Sequence, residues 1–266
     1  MDIFSHTFSG MAAGGLVGIC LANSPREKLN CLLMGTLGGA IPDLDALSLW
    51  DPAYRLLVAV SHTNDSPREI YYGTYWYSHH AALHSIFSAF IFIFFAQLIS
   101  RWRISGTKKL DLLKINPIQR NSYLAFFLGY LLHLLQDMPT PPGPWGGINL
   151  WFPLRSYYGG YGQIWWWNNY DLFLIIFFVA FTNILILILF KKPKSWIKIF
   201  SIGLFLLSLF IFIFQINHRS NHYGVAPNPK SYKDREQASK EEQKQILGDR
   251  LYYIMESIDN RIPLYF

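Results

Sequence analysis

The chain alternates between long apolar runs and short polar connections. Six apolar segments stand out, at about residues 8–22, 29–41, 78–99, 122–136, 172–190 and 199–216. A helix needs about 20 apolar residues to cross the roughly 30 Å hydrocarbon core of a bilayer, and the fifth and sixth segments come close to that length. The second is shorter. Its 13 residues rise about 20 Å on a helix, so a half-span buried inside a bundle is expected there. Gly10, Gly14 and Gly18, and then Gly35 and Gly39, recur every four residues, a spacing that lets helix backbones approach closely in a membrane. The expected fold class is all-α: a polytopic membrane helical bundle of about six apolar segments with a charged C-terminal helical tail.

The connections differ in character. Residues 42–78 are polar and aromatic, with a short helix expected at 53–60. His62, in a Ser/Thr/Asn/Asp-rich turn there, reads as a solvated loop residue. The stretch 138–169 is rich in Pro, Gly and Trp, with Arg155 as its lone charge. Trp145, Trp151, Trp165, Trp166 and Trp167 are expected as an interfacial aromatic belt. From 218 onward the composition changes: eight Lys/Arg and seven Asp/Glu fall in 49 residues. Residues 234–258 read as an exposed, charge-rich helix. The expected division is therefore a membrane-embedded domain, 1–217, and an extramembrane tail, 218–266, with a protein partner for the tail. His218 and His222 are expected as interfacial side chains.

Composition supports the membrane reading. Only 15% of residues are charged and 52% are hydrophobic, against about a quarter charged in soluble domains. Outside the tail, the basic residues behind the net charge of +6 cluster in a few short loops, as in a polytopic protein and not as on a nucleic-acid-binding face. Cys20 and Cys31 lie in Gly-rich apolar runs and read as small core residues. Met1 to Phe8 holds no Lys or Arg, so no cleavable signal peptide is expected. Loops 23–28, 101–121 and 191–198 carry twelve of the 23 Lys/Arg, whereas 42–84 and 138–170 carry only Arg55, Arg68 and Arg155. The excess of basic residues marks the cytoplasmic side.

That topology brings chemistry to one face. His6 starts the first segment; Asp43 and Asp45 end the second; His79, His80 and His84 open the third; His133 and Asp137 end the fourth. All fall at the exoplasmic end. Helical bundles build metal sites from side chains on facing helices in this way. His nitrogen with Asp oxygen suits zinc, with manganese or iron as alternatives. So many candidates fit a two-metal site better than a single ion, and such sites serve phosphoester and amide hydrolysis.

These elements together resemble the membrane-bound metal-dependent hydrolases of the YdjM type, LexA-regulated inner-membrane proteins of bacteria. That family's pattern has an early His, Pro-Asp-x-Asp, His-Arg-Gly-x-Thr-His-Ser, and His-x-x-x-Asp followed by Thr-Pro and a Trp-Pro-Phe-like stretch. Here the corresponding residues are His6, Pro42-Asp43-Leu44-Asp45, the run His79 to Ser85, His133 to Asp137, Pro139-Thr140-Pro141 and Leu150-Trp151-Phe152-Pro153. His80, Ala81 and Leu83 depart from the family's Arg, Gly and Thr. The resemblance implies a hydrolase with His6, Asp43, Asp45, His79, His84, His133 and Asp137 around one to three metal ions. The family register pairs His79 with His84. On a regular helix His80 would share a face with His84, while His79 would stand about 140° away. The adopted reading takes His79 and His84 as ligands, His80 near substrate, Asp45 as a catalytic carboxylate and Arg155 as a phosphate-holding cation.

The expected function is thus hydrolysis of a phosphoester in a lipid or membrane-proximal substrate, phospholipase C-like, at the outer face of a bacterial inner membrane. A metal or proton transporter is the alternative from another class, and it requires ionisable groups distributed through the membrane depth. A regulatory membrane protein with a structural metal is the third.

Overall fold

A computed structural model describes residues 1–61, 65–105, 116–224 and 229–261. His62, Lys108, Lys109 and Lys114 lie outside the described residues. The helices are α1 (Ile3–Leu21), α2 (Pro25–Ala40), α3 (Asp51–Ser61), α4 (Pro67–Tyr72), α5 (Ile86–Ser105), α6 (Pro117–Asp137), α7 (Tyr170–Leu189), α8 (Ser195–Asn217) and α9 (Pro229–Asp259). Two 3-10 segments, Ile41–Leu49 and Ala82–His84, extend α2 and precede α5. No β-strand occurs among the described residues, and the fold class is all-α as expected.

Side-chain caps set the helix starts. The Asp2 carboxylate accepts from the Ser5 amide at 2.9 Å and starts α1. Asn116 and Gln119 form a reciprocal capping box with Pro117 at the first position of α6. Such caps satisfy amides that otherwise have no partner at a helix N-terminus.

α1, α2 and α6 form the centre, and glycine lets them touch backbone to backbone. A Cβ on Gly35 would run into the Gly10 carbonyl and stand 2.6 Å from Gly14 Cα. One on Gly39 would strike the His6 carbonyl. The sequence suggested about six apolar segments, the second a half-span; among the described residues three helices, α1, α7 and α8, are long and apolar enough to cross a membrane. α2 and α6 fall short through length and polar content. α2 has only 16 residues and carries charge in its first turn, and α6 keeps Asn121, Gln136 and Asp137 buried against neighbouring helices. α7 and α8 form the lipid-facing wall. Asn183 of α7 donates to the Ala12 carbonyl at 3.0 Å and accepts from Ser201 of α8 at 2.7 Å. Polar links of this kind hold helices together where apolar contact with lipid gives no preference. At the end away from the His/Asp residues, Lys28 Nζ donates to the Phe190 carbonyl at 2.6 Å and Lys198 Nζ to the Cys20 carbonyl at 2.8 Å. Both cations cap helix C-termini, where the dipole favours positive charge.

The tail differs from the exposed helix expected. α9 packs on the start of α7 through Tyr252 and Met255 against Tyr170. Gln243 accepts from the Asp171 amide at 3.2 Å, and the buried Arg219 holds both Asp171 oxygens at 2.8 Å. Its charged residues concealed this docking, because the inward face is carried by Ser239, Glu242 and Gln243. The tryptophan belt also needs correcting. Trp151 is half exposed, but Trp145 and Trp165 are buried, Trp165 among Trp166, Tyr223 and Tyr232. His218 is the expected surface residue, stacked on Phe214.

Gly35→Ala is expected to cost about 1–3 kcal/mol through overpacking, read as a lowered thermal unfolding midpoint in detergent. Gly203→Ala, with nothing within 4 Å of the added carbon, should not lower it. Docking of the tail should also depend on pH. Burial alone would raise the Glu242 pKa, but hydrogen bonds from the Ser220 hydroxyl and amide and the Arg219 charge outweigh it and hold the carboxyl below its ordinary value. A lowered folded-state pKa gives stability that is present above the unfolded value, about 4.3, and lost as pH falls through the lowered one. Protease protection of α9 should therefore decline as pH drops below that range, and Glu242→Gln should flatten the decline.

Candidate metal centre

Four chain segments deliver the chemical groups to one end of the bundle. α1 brings His6 in its second turn, the 3-10 extension of α2 brings Asp43 and Asp45, the irregular run before α5 brings His79, His80 and His84, and the last turn of α6 brings His133 and Asp137. His6, His84 and His133 are fully buried.

The innermost atoms converge. His84 Nε2 and His133 Nε2 lie 3.2 Å apart. Asp137 Oδ2 stands 3.4 and 3.1 Å from them, and Asp43 Oδ1 3.7 and 3.6 Å. Four donors at about 2.0–2.1 Å from a tetrahedral zinc ion would be about 3.3–3.4 Å from one another; the His84, His133 and Asp137 atoms are spaced close to this, and Asp43 Oδ1 stands a few tenths of an ångström farther out, grouped with the two histidines. Tautomers agree. His133 Nδ1 lies 2.7 Å from the Gly39 carbonyl oxygen. A carbonyl only accepts, so Nδ1 carries the proton and Nε2 presents its lone pair inward. Buried polar atoms without a hydrogen bond are costly, about 1–3 kcal/mol each. Asp137 Oδ2, which faces the two histidine nitrogens, is of this kind. Such an atom beside His84, His133 and Asp43 fits a divalent cation held by these four residues.

Around this set stands a supporting layer. Asp45 Oδ2 faces His84 Nδ1 at 3.0 Å while its Oδ1 meets His79 Nδ1 at 2.6 Å. Asp45 thus sits behind His84 and orients two rings, instead of joining the inner four donors. His6 stacks on His133 with ring centroids 3.7 Å apart. Its Nδ1 meets Gln136 Oε1 at 3.0 Å, and its Nε2 faces Asp137 Oδ1 at 3.1 Å. The Met1 amino group reaches the same oxygen at 2.7 Å. His6 with His133 and Asp137, and His79 with His80 and His84, form two further groups whose ligand atoms lie within 4.8 Å of one another.

The run 79–84 is not an α-helix, and only Ala82–His84 forms a 3-10 turn, so the helical objection to pairing His79 with His84 does not arise. His80 takes a left-handed backbone (φ 63°), uncommon for a residue other than glycine and a form of strain that clusters at functional sites. Its Nδ1 is 3.2 Å from the Gly147 carbonyl. Burial, and then the charges of His79 and His84, hold its pKa well below the ordinary value. Burial alone also lowers His84, but Asp45, Asp137 and Asp43 outweigh it and hold its pKa well above. That negative surrounding favours any cation placed there. Arg155 is exposed, and no hydrogen bond or ion pair ties it to the cluster.

Three participants went unrecognised in the sequence. Gln136 fixes His6, and its own amide is oriented by donation to Ser9 Oγ; a polar residue within an apolar helix, beside Asp137, was the available signal. Tyr71 stacks on His79 at 4.4 Å and Trp145 flanks His79 and His80 at 5.2 and 4.7 Å. Nothing in local sequence distinguishes these two rings from other aromatics.

A family model described as YdjM inner membrane protein matches residues 1–220. The chain belongs to this family. No match is found among curated proteins or among solved structures. The YdjM match covers α1 to α8, including every His and Asp of the cluster, and ends before α9.

Elemental analysis of the purified protein checks the centre. His133→Ala and Asp137→Ala should each abolish stoichiometric metal. Asp45→Asn, which disturbs the support of His84 and His79 but none of the four donors, should weaken affinity by about 10–100-fold, and Arg155→Ala should change nothing. Unchanged metal in the first two variants would remove the assignment.

Proposed function

We propose that this inner membrane protein is a metal-dependent hydrolase of a phosphoester in a lipid or another membrane-proximal substrate. The observation that carries this reading is the convergence of His84, His133, Asp43 and Asp137 beside His79, which the carboxylate supporting His84 also holds. A purely structural metal would need the four donors and Asp45 but not His79. Confinement of these groups to one end also favours a hydrolase over a transporter, which needs them through the membrane depth. The lysine-capped helix ends opposite support a multi-pass topology with the centre on the periplasmic face.

The inner four residues would hold the ion, with zinc favoured by the mixed nitrogen and oxygen donors. When bound, such an ion lowers the pKa of water and neutralises charge on phosphoryl oxygens. The protein groups supply the rest. With Nδ1 held by Asp45, His79 keeps Nε2 free to carry a proton, and Tyr71 and Trp145 fix its plane. In hydrolysis the water oxygen bonds to phosphorus and the water's proton passes to His79 Nε2, the proton that His79 then hands on. The P–O bond breaks with its electron pair on the leaving oxygen, and His79 delivers a proton there. His80, kept neutral by its surroundings, borders the same space and can donate or accept a hydrogen bond. The exposed Arg155 has no part in this arrangement.

Turnover of a lipid phosphate should stop on chelation and return with zinc or manganese. His79→Ala should keep its metal yet lose about 10²–10⁴-fold in kcat, the usual contribution of a positioned acid or base. Turnover indifferent to both treatments would overturn the proposal.

A further inference from the structure

A cavity of about 300 Å³ lies between α1, α6, α7 and α8, next to the His/Asp centre. The two share a wall. Gln136 and Ser9 line the cavity, and Gln136 Oε1 faces His6 at 3.0 Å on its other side. The lining changes from end to end. Near the centre it includes Gln136, Gln163 and Asn217; farther in it is Ala12, Val179 and Phe205. Along α8 the lining runs from Phe205 to Asn217, a rise of about 18 Å. One leaflet's share of the hydrocarbon core is about 15 Å. The side is open to lipid, since Leu135, Leu209 and Ile213 line the cavity and are still 47%, 36% and 50% exposed.

Size decides the occupant. A helix about 10 Å across would fill about 1,400 Å³ over that length, far more than the cavity holds. Apolar walls offer an ion or water few partners. A single extended hydrocarbon chain matches the width, the length and the polar-to-apolar gradient. We infer that this slot holds one hydrocarbon chain of a membrane lipid whose polar head lies at the His/Asp centre. The head's identity as a phosphoester rests on the hydrolase reading; the slot itself does not. The substrate class is then an amphiphile drawn sideways from the outer leaflet, with the chain fixing how far the head reaches toward His84 and His133.

The test uses the full zinc-loaded protein in nanodiscs and a long-chain phosphatidic acid with a photoreactive diazirine in mid-chain. Label should fall on peptides of α8 around 205–213 and of α6 around 132–136. Ser208→Trp and Ile213→Trp should each lower labelling and turnover of the lipid by about tenfold or more, the loss of two buried methylenes. Ile199→Trp, on an exposed position of α8 outside the slot, should match the wild type. Label spread over the lipid-facing surface of the wild-type protein overturns the slot even where the tryptophan variants fail to fold. Wild-type turnover of p-nitrophenyl phosphate separates the two readings. Slot labelling without turnover of either phosphate supports the slot and counts against the hydrolase. Turnover of both with scattered label leaves the hydrolase standing without the slot.

Discussion

The close approach of α1, α2 and α6 is the constraint on which the rest depends. Gly10, Gly35 and Gly129 let three backbones meet with no side chain between them. Only that distance brings the Gly39 carbonyl within 2.7 Å of His133 Nδ1 and lays His6 flat on His133. The glycines therefore act on the chemistry as well as on stability. They place a carbonyl where it decides which nitrogen of His133 is free, and they bring the ends of α2 and α6 to one point. An Ala at Gly35 would shift that point without touching any of the ionisable residues.

Electrostatics explains why the cluster is confined to a helix end. Burying Asp43, Asp45 and Asp137 together is unfavourable unless positive charge balances them. Three fully buried histidines surround them, and an ion would complete the balance. At the opposite end lysines meet helix carboxyl termini instead. The His/Asp cluster therefore lies at one end of the bundle and the lysine caps, with the buried Glu27, at the other, while Asn183 and Ser201 form a neutral pair between α7 and α8.

Much of this was legible in the residues. Periodic glycines announced the close helices, and the alternation of basic and His/Asp-bearing connections placed the site at one end. Other features were not, for identifiable physical reasons. A count of apolar runs exceeds the number of helices fit to span, because α2 is short and α6 keeps polar side chains buried against its neighbours. Asp45 looks like Asp43 in Pro-Asp-Leu-Asp, yet the 3-10 turn sends one carboxylate into the inner set and the other behind His84. Arg155, the lone cation of its loop, is exposed in the structure. The tail's docking depends on Arg219, Glu242 and Gln243, which read as solvated charges and polar groups until their partners on α7 and the 220s are seen.

X-ray absorption at the zinc edge of the metal-loaded protein tests the central claim most directly. A mixed shell with imidazole and carboxylate donors at about 2.0–2.1 Å, whose imidazole scattering falls in His84→Ala and His133→Ala, is the expected result. A shell without imidazole, or one unchanged in those variants, would contradict the assignment of this cluster as the metal centre.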